Sequence, residues 1–369
     1  MDNPRPPRPV PGYKPPVFEP GLRGPNDMTR GRAHFSSSEL AVVLSHYDIG
    51  IIRQLKSLNA GNPQAPKTVI ISNKGLYIVK RRPHGKDDPY RVSLAHAIRE
   101  YLYAEGYPVA RTIHTRDHGR SFLHSNDHIY ELFEYIRGSR YDGSPEATED
   151  AGRRLAEFHV HLSAFTSEYR PIFKSFHDSQ TVRRHLQAVG PLSENGNNSI
   201  ELRRIAEELL RLYDAAAARV NESGIAGWPE RFTHGDWHPG NIMFDGKRVK
   251  VVLDLDSVKL APTPTDLANG LLQFSIVGGK TDPAQWPDSL DTARLTSFMR
   301  GYRGATDTDG CGALLPDLMT ETMIAEAVLP VAATGSFGHM CGLEFLRMIQ
   351  RKCLWIDANR DEIVKAIGI

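Results

Sequence analysis

The feature that most limits the fold is an abrupt change of texture near residues 134–138. Before it the chain is dominated by short runs rich in β-branched and aromatic residues: TVIIS from Thr68, LYIVK from Leu76, then ARTIHTR, SFLHS and HIYELFEYI. Such runs, broken by turn residues such as Asn73-Lys74-Gly75, predict antiparallel strands. Two helices fall among them. FSSSELAVVLSHYDI, capped at Ser36, Ser37 or Ser38, predicts a short one, and Arg91 to Gly106 a longer one that stops at glycine. After Arg137-Gly138 helical spacing takes over. Thr148 to Ser163 (Thr148 as cap), HDSQTVRRHLQAV and SIELRRIAEELLRLYDAAAARVNESG predict three amphipathic helices. A strand–turn–strand segment, RFTHGDWHPGNIMFDGKRVKVVLDLDSV, follows, and three or four further helices fill the remainder. The expected class is therefore α+β, with a sheet-rich part followed by a helical one.

Composition narrows the function. Lys and Arg total 45 against 44 Asp and Glu, a net charge of +1, which argues against nucleic-acid binding through a broad positive field. No apolar stretch approaches the roughly 18 residues that a membrane span needs. Nine of the first 25 residues are proline and no apolar core precedes them, so residues 1–33 are expected to form a proline-rich disordered tail rather than a secretory signal. The three cysteines, Cys311, Cys341 and Cys353, lack CxxC spacing and suit a reducing cytoplasm.

The chemistry concentrates in His234-Gly235-Asp236-Trp237-His238-Pro239-Gly240-Asn241 and the strand end Leu253-Asp254-Leu255-Asp256. An Asp and an Asn five residues apart share one tight loop, and Asp254 returns 13 residues later at the end of a hairpin. Hard oxygen donors so gathered suit Mg2+ held jointly with phosphate oxygens. Asp236, not needed as a ligand, is free to orient a hydroxyl and accept its proton.

This spacing resembles the catalytic loop and metal-binding aspartate of the protein-kinase-like fold. The His-Gly-Asp form is similar to the aminoglycoside phosphotransferase/choline kinase family, whose HGDxHxxN, strand-end Asp and later Asp-Leu-Ala are matched at His234 to Asn241, Asp254 and Asp266-Leu267-Ala268. With each residue near 5% of composition, four fixed positions arise by chance in about one chain in 500. The resemblance covers about residues 34–345. It implies a two-lobe fold, with an antiparallel N-lobe at 34–136 and a mainly helical C-lobe at 137–369 that carries the catalytic loop and the acceptor site. It implies ATP and Mg2+, with Asp236 as the base, Asn241 and Asp254 as metal ligands, and Lys80 in GLYIVKRRP steadying the nucleotide phosphates. The Glu134 carbonyl and Ile136 amide match the hinge that reads adenine. Asp266 is expected to brace the loop, and His234 and His159 to be packed residues.

Several positions depart from the pattern. Leu58 to Lys67, where a phosphate-covering loop should lie, holds a single glycine, Gly61, and two prolines. The expected glutamate partner of Lys80 falls at Ala95, beside His96, with Glu100 one turn on as the nearest acid. Asp256 stands where protein kinases have glycine; a second-metal role and a solvated carboxylate both remain open. No Ala-Pro-Glu, HExxH or GxSxG occurs, and Gly278-Gly279-Lys280-Thr281 lacks the first glycine of a phosphate-binding loop. The expected function is transfer of the γ-phosphoryl group of ATP to a hydroxyl of a small acceptor: an amino alcohol, homoserine, a sugar or an aminoglycoside. The alternatives are a stress-response-type protein kinase acting on a protein substrate, and a non-catalytic binding protein of the same fold. Neither a nucleic-acid nor a membrane partner is expected, and the expected location is the cytoplasm.

Overall fold

A computed structural model describes residues 31–171, 175–189, 196–278, 282–304 and 310–368, without the side chains of 196–198. Most of the proline-rich segment and the Gly279–Thr281 stretch lie outside the described residues. The chain divides into two compact units, one reaching to Arg137 together with Thr166–Arg170, the other Gly138–Phe165 with Pro171 onward.

The first unit is a five-stranded antiparallel sheet with two helices. Helix α1 (Ser37–Ser45) starts at a reciprocal cap: the Ser36 hydroxyl accepts the Glu39 N–H, and the Glu39 carboxylate accepts the Ser36 N–H. It buries Leu40, Val43 and Leu44 against Ile70, Val79 and Leu132 of the sheet. Strands β1 (Ile52–Ser57), β2 (Lys67–Ser72), β3 (Leu76–Arg81), β4 (Phe122–Ser125) and β5 (His128–Glu134) lie in the order β1-β2-β3-β5-β4, with α2 (Pro89–Ala104) between β3 and β4 in the chain. The β4–β5 turn takes positive φ at both Asn126 and Asp127 (48° and 57°), which suits the right-handed twist of a two-residue hairpin.

Two expectations for this sheet change. Strand β1 is exposed along its whole length, so IRQLKS carries no buried alternation by which to recognise it. Conversely, ARTIHTR is not a strand. β4 occupies the β5 edge along His128–Glu131, which leaves residues 111–113 only the Leu132–Glu134 end and a single bridge, Thr112 to Phe133.

The second unit is mainly helical. Helix α3 (Pro145–Leu162) is capped by Ser144, not Thr148; Pro145 suits the first turn, and the Thr148 hydroxyl donates back to the Ser144 carbonyl at 2.7 Å. Helices α4 (Gln180–Val189) and α5 (Gly196–Glu222) follow. Two short antiparallel pairs come next in the chain: β6 (Arg231–Thr233) with β9 (Lys259–Ala261), and β7 (Ile242–Asp245) with β8 (Arg248–Val252). Among the described residues five further helices follow, rather than three or four: α6 (Thr263–Ser275), α7 (Thr292–Arg303), α8 (Leu315–Thr334), α9 (Gly342–Ala358) and α10 (Arg360–Ile367). The small pair β10 (Ser336–Phe337) and β11 (Met340–Cys341) stands between α8 and α9. Helices α3 and α7 meet backbone to backbone. A Cβ on Gly152 would lie 2.0 Å from the Phe298 carbonyl oxygen, and one on Gly301 1.8 Å from that of Glu149. That approach sets the depth of His159 on α3 and Tyr302 on α7, two residues of the site described next. No described helix is long and apolar enough to cross a membrane.

Candidate active site

The 234–241 loop leaves β6 at Thr233 and is tied down on both sides of Asp236. Asp266, in the first turn of α6, accepts the backbone N–H groups of His234 (2.7 Å) and Gly235 (2.8 Å). The same carboxylate meets His159 Nε2 at 2.9 Å, and His159 Nδ1 meets the Tyr302 hydroxyl at 2.7 Å. Burial alone would push the Asp266 carboxyl up; the hydrogen bond and charge of His159, with the backbone donors, outweigh it and hold the group below its ordinary value. On the other side, Asn269 Oδ1 accepts the Trp237 N–H at 2.7 Å. Trp237 is fully buried and stands edge-on to His234, itself fully buried. Gly235 adopts φ +74°, and a Cβ there would lie 2.4 Å from both Lys259 Cε and the Ser257 carbonyl oxygen. Only glycine fits that conformation beside the lysine stem.

Asp236 is thus presented from a fixed backbone with a partly exposed carboxylate. Its Oδ2 accepts Asn241 Nδ2 at 3.0 Å, and its carbonyl accepts the same amide at 3.1 Å. His238 Nδ1 accepts the Gly240 N–H at 3.0 Å, which assigns the ring proton to Nε2, 3.7 Å from Asp236 Oδ2. The hairpin register, Ile242 opposite Val252, sets Asn241 across from Leu253, whose N–H donates to the Asn241 carbonyl at 2.8 Å. Asp254 follows in the left-handed region at φ +54°, a conformation uncommon outside glycine and concentrated at functional sites. Its Oδ1 takes a long 3.4 Å contact from the Asp256 N–H. The donors available here are oxygens. With Asn241 Nδ2 committed to Asp236, Oδ1 accepts no hydrogen bond among the described residues, so Asn241 and Asp254 suit a hard divalent cation. Among the described residues no three His, Cys, Asp or Glu side chains form a metal-ready group.

In the sheet unit, Lys80 on β3 lies in register with Glu131 on β5, its Nζ 3.7 Å from Glu131 Oε2. Glu131 is fully buried and also meets Arg82 Nη2 and His96 Nε2, each at 2.8 Å. Burial opposes ionisation, but the Arg82 and Lys80 charges and the His96 bond draw the Glu131 carboxyl well below its ordinary value. Glu100, by contrast, is exposed and pairs with His114 at 2.8 Å. The carboxylate beside Lys80 therefore comes from the neighbouring strand, and α2 contributes His96 to the cluster rather than Glu100. The loop from Leu58 to Lys67 turns through Gly61 at φ +69°, with Lys67 Nζ donating to the Ala60 carbonyl. Glu134 ends β5, the Tyr135 N–H makes a last bond to the Leu76 carbonyl at 2.9 Å, and half-buried Ile136 follows.

Several residues around the loop escape sequence reasoning. Asn269, one turn beyond Asp266, also donates to Glu326 on α8 at 2.7 Å, and Gln273 donates to the other oxygen of that carboxylate. Glu326 is pushed up to about 7, first by burial and then by the negative charge of Asp236. Lys259 on β9 is 92% buried, 8% of its surface remaining exposed. Neither Glu326, the third acid of α8 after Asp317 and Glu321, nor Lys259 gives a signal in the sequence.

The fold and the gathered carboxylates define the class of protein, a protein-kinase-like phosphotransferase. The sequence model of the phosphotransferase enzyme family, APH, matches residues 59–309. The chain belongs to this family, and it is an ATP-dependent phosphotransferase for a small molecule. No curated protein sequence matches. Among solved structures the chain is similar to the microcompartment-associated aminopropanol kinase (TM-score 0.63, 15% identity, 89% of this chain and 98% of that one). It is also similar to amicoumacin kinase hAmiN in complex with AMP-PNP, Ca2+ and Ami (0.60, 13%, 90% and 94%). A third is the choline kinase of Streptococcus pneumoniae (0.53, 15%, 89% and 97%). At these identities the likeness shows the fold.

Proposed function

We propose that the protein moves the γ-phosphoryl group of ATP to a hydroxyl of a small-molecule acceptor, with Asp236 as the base. The observation that carries this reading is the hairpin that gathers Asp236, Asn241 and Asp254 while Asp266 and Asn269 fix the amides on either side of Asp236. The acceptor hydroxyl donates to the Asp236 carboxylate. As the acceptor oxygen bonds to the γ-phosphorus and the bond to the bridging oxygen of ADP breaks, the proton passes to Asp236. Asn241 Nδ2 on Oδ2 orients the carboxylate for that step. Asn241 and Asp254 would hold Mg2+, which neutralises phosphate charge when bound. Lys80, positioned by Glu131, serves the nucleotide phosphates, and the Glu134 carbonyl and Ile136 amide serve adenine. The co-crystallised AMP-PNP and Ca2+ of the amicoumacin kinase support a nucleotide and a divalent ion here. Incubation with ATP, Mg2+ and a metabolite pool, read by mass spectrometry, tests the reading. A new phosphomonoester that depends on Asp236 is the expected result; phosphate found only on protein would overturn it.

A further inference from the structure

Beside the 234–241 loop the helical unit contains a cavity whose wall includes Phe176, His177, Lys259, Thr265, Glu321 and Thr322, with Gly235 at its edge. One of its charged groups lacks a direct ion-pair partner among the described residues. His177 meets Glu321 through Nδ1 at 2.9 Å and the Asn221 Oδ1 through Nε2 at 3.1 Å; burial opposes its charged form, but the Glu321 hydrogen bond and charge outweigh it and raise the imidazole pKa. Glu321 is matched by His177 and by the Asp178 N–H at 2.9 Å. Asp266 is matched by His159 and two backbone donors. Lys259 is the exception. It is 92% buried, with Nζ 4.0 Å from the centre of the Phe176 ring, and among the described residues no carboxylate lies within hydrogen-bonding or ion-pairing distance of it. Its stem packs on Gly235, the neighbour of Asp236. Burial opposes the charged form of Lys259, and Asp266, Glu326 and Asp236 favour it only from beyond ion-pair distance, so an anionic group in the cavity would lower the cost of the ammonium.

We propose that Lys259 recognises the acceptor through an anionic group, a carboxylate or a phosphate, carried beside the hydroxyl that Asp236 addresses. The acceptor is then a hydroxy acid, a hydroxyamino acid or a polyol phosphate rather than a purely cationic amino alcohol. This rests on the phosphotransfer reading, and the two fail differently. Turnover that does not need Asp236 removes that reading, whereas Asp236-dependent turnover confined to cations removes only this inference.

The test compares D-glycerate, L-homoserine and glycerol 3-phosphate with choline, 1-amino-2-propanol and kanamycin as acceptors for ATP. The anionic set is expected to be preferred, glycerate and glycerol 3-phosphate telling carboxylate from phosphate. Lys259→Met, which keeps the stem, is expected to raise the acceptor KM by about 10–100-fold, the worth of one charge-assisted hydrogen bond, while kcat changes less and Lys259→Arg recovers part of the loss. Cations alone as acceptors, an unchanged KM, or a fall in kcat alone would overturn the proposal. A thermal-shift titration of wild type and Lys259→Met with the same anions decides the matter even without turnover. Stabilisation that the variant loses supports the proposal, and none in the wild type overturns it.

Discussion

Replacing Asp266 by Asn tests how the loop is held. The carboxylate accepts three donors at 2.7–2.9 Å and is fully buried. An amide keeps one acceptor oxygen. The least disruptive rotamer faces its NH2 group toward the Gly235 N–H, which loses one charge-assisted bond worth about 1.5–3 kcal/mol and strands a donor at about 1–3 kcal/mol. His159 Nε2 also loses the anionic end of its hydrogen bond. The sum agrees with the roughly 3–5 kcal/mol measured when a buried ion pair is broken, so the expected loss is about 4 kcal/mol. For a unit of this size that is a fall of roughly 8–16 °C in Tm. Because the Asp266 pKa is depressed in the fold, its contribution is complete above the unfolded value of 3.8 and is lost as pH falls through the folded one. The gap between wild type and variant should therefore narrow on acidification. Urea titrations followed by tryptophan fluorescence, with Trp237 beside the site, measure it. A change below about 1 kcal/mol at neutral pH would refute the bracing argument.

Two further outcomes follow from the same geometry. Asp254→Ala should abolish Mg2+-dependent binding of ATP in a thermal-shift titration while lowering the metal-free melting temperature by only a few degrees, the cost of about 1 kcal/mol for alanine in the left-handed backbone at φ +54°. Glu326, with a pKa raised to about 7, stabilises the fold fully below the unfolded carboxyl value and loses that contribution as pH rises through about 7. Wild-type stability should decline across that range, and Glu326→Gln should remove the slope; an identical slope in both proteins would contradict the assignment.

The sequence exposed the α+β class because β-branched runs and helical periodicity occupy separate halves of the chain. It also exposed the hairpin of Asp236, Asn241 and Asp254, whose members sit within 19 residues and whose register a short turn fixes. Contacts made across the tertiary fold were not legible. The cross-strand pairing of Lys80 with Glu131 depends on sheet order, and nothing local in IYELF or the α2 sequence announces it. Strand β1 was invisible because it buries nothing, and residues 110–116 looked like a strand because the space left beside β5 cannot be read from composition. Lys259 and Glu326 are ordinary charged letters until their burial is known.

The most direct test is steady-state turnover of Asp236→Asn with the acceptor identified from the metabolite pool, alongside its ATP affinity. The substitution keeps the contact with Asn241 but removes the base. A fall of about 10²–10⁴ in kcat with nucleotide affinity nearly unchanged is the predicted result. Turnover at the wild-type rate would contradict the account.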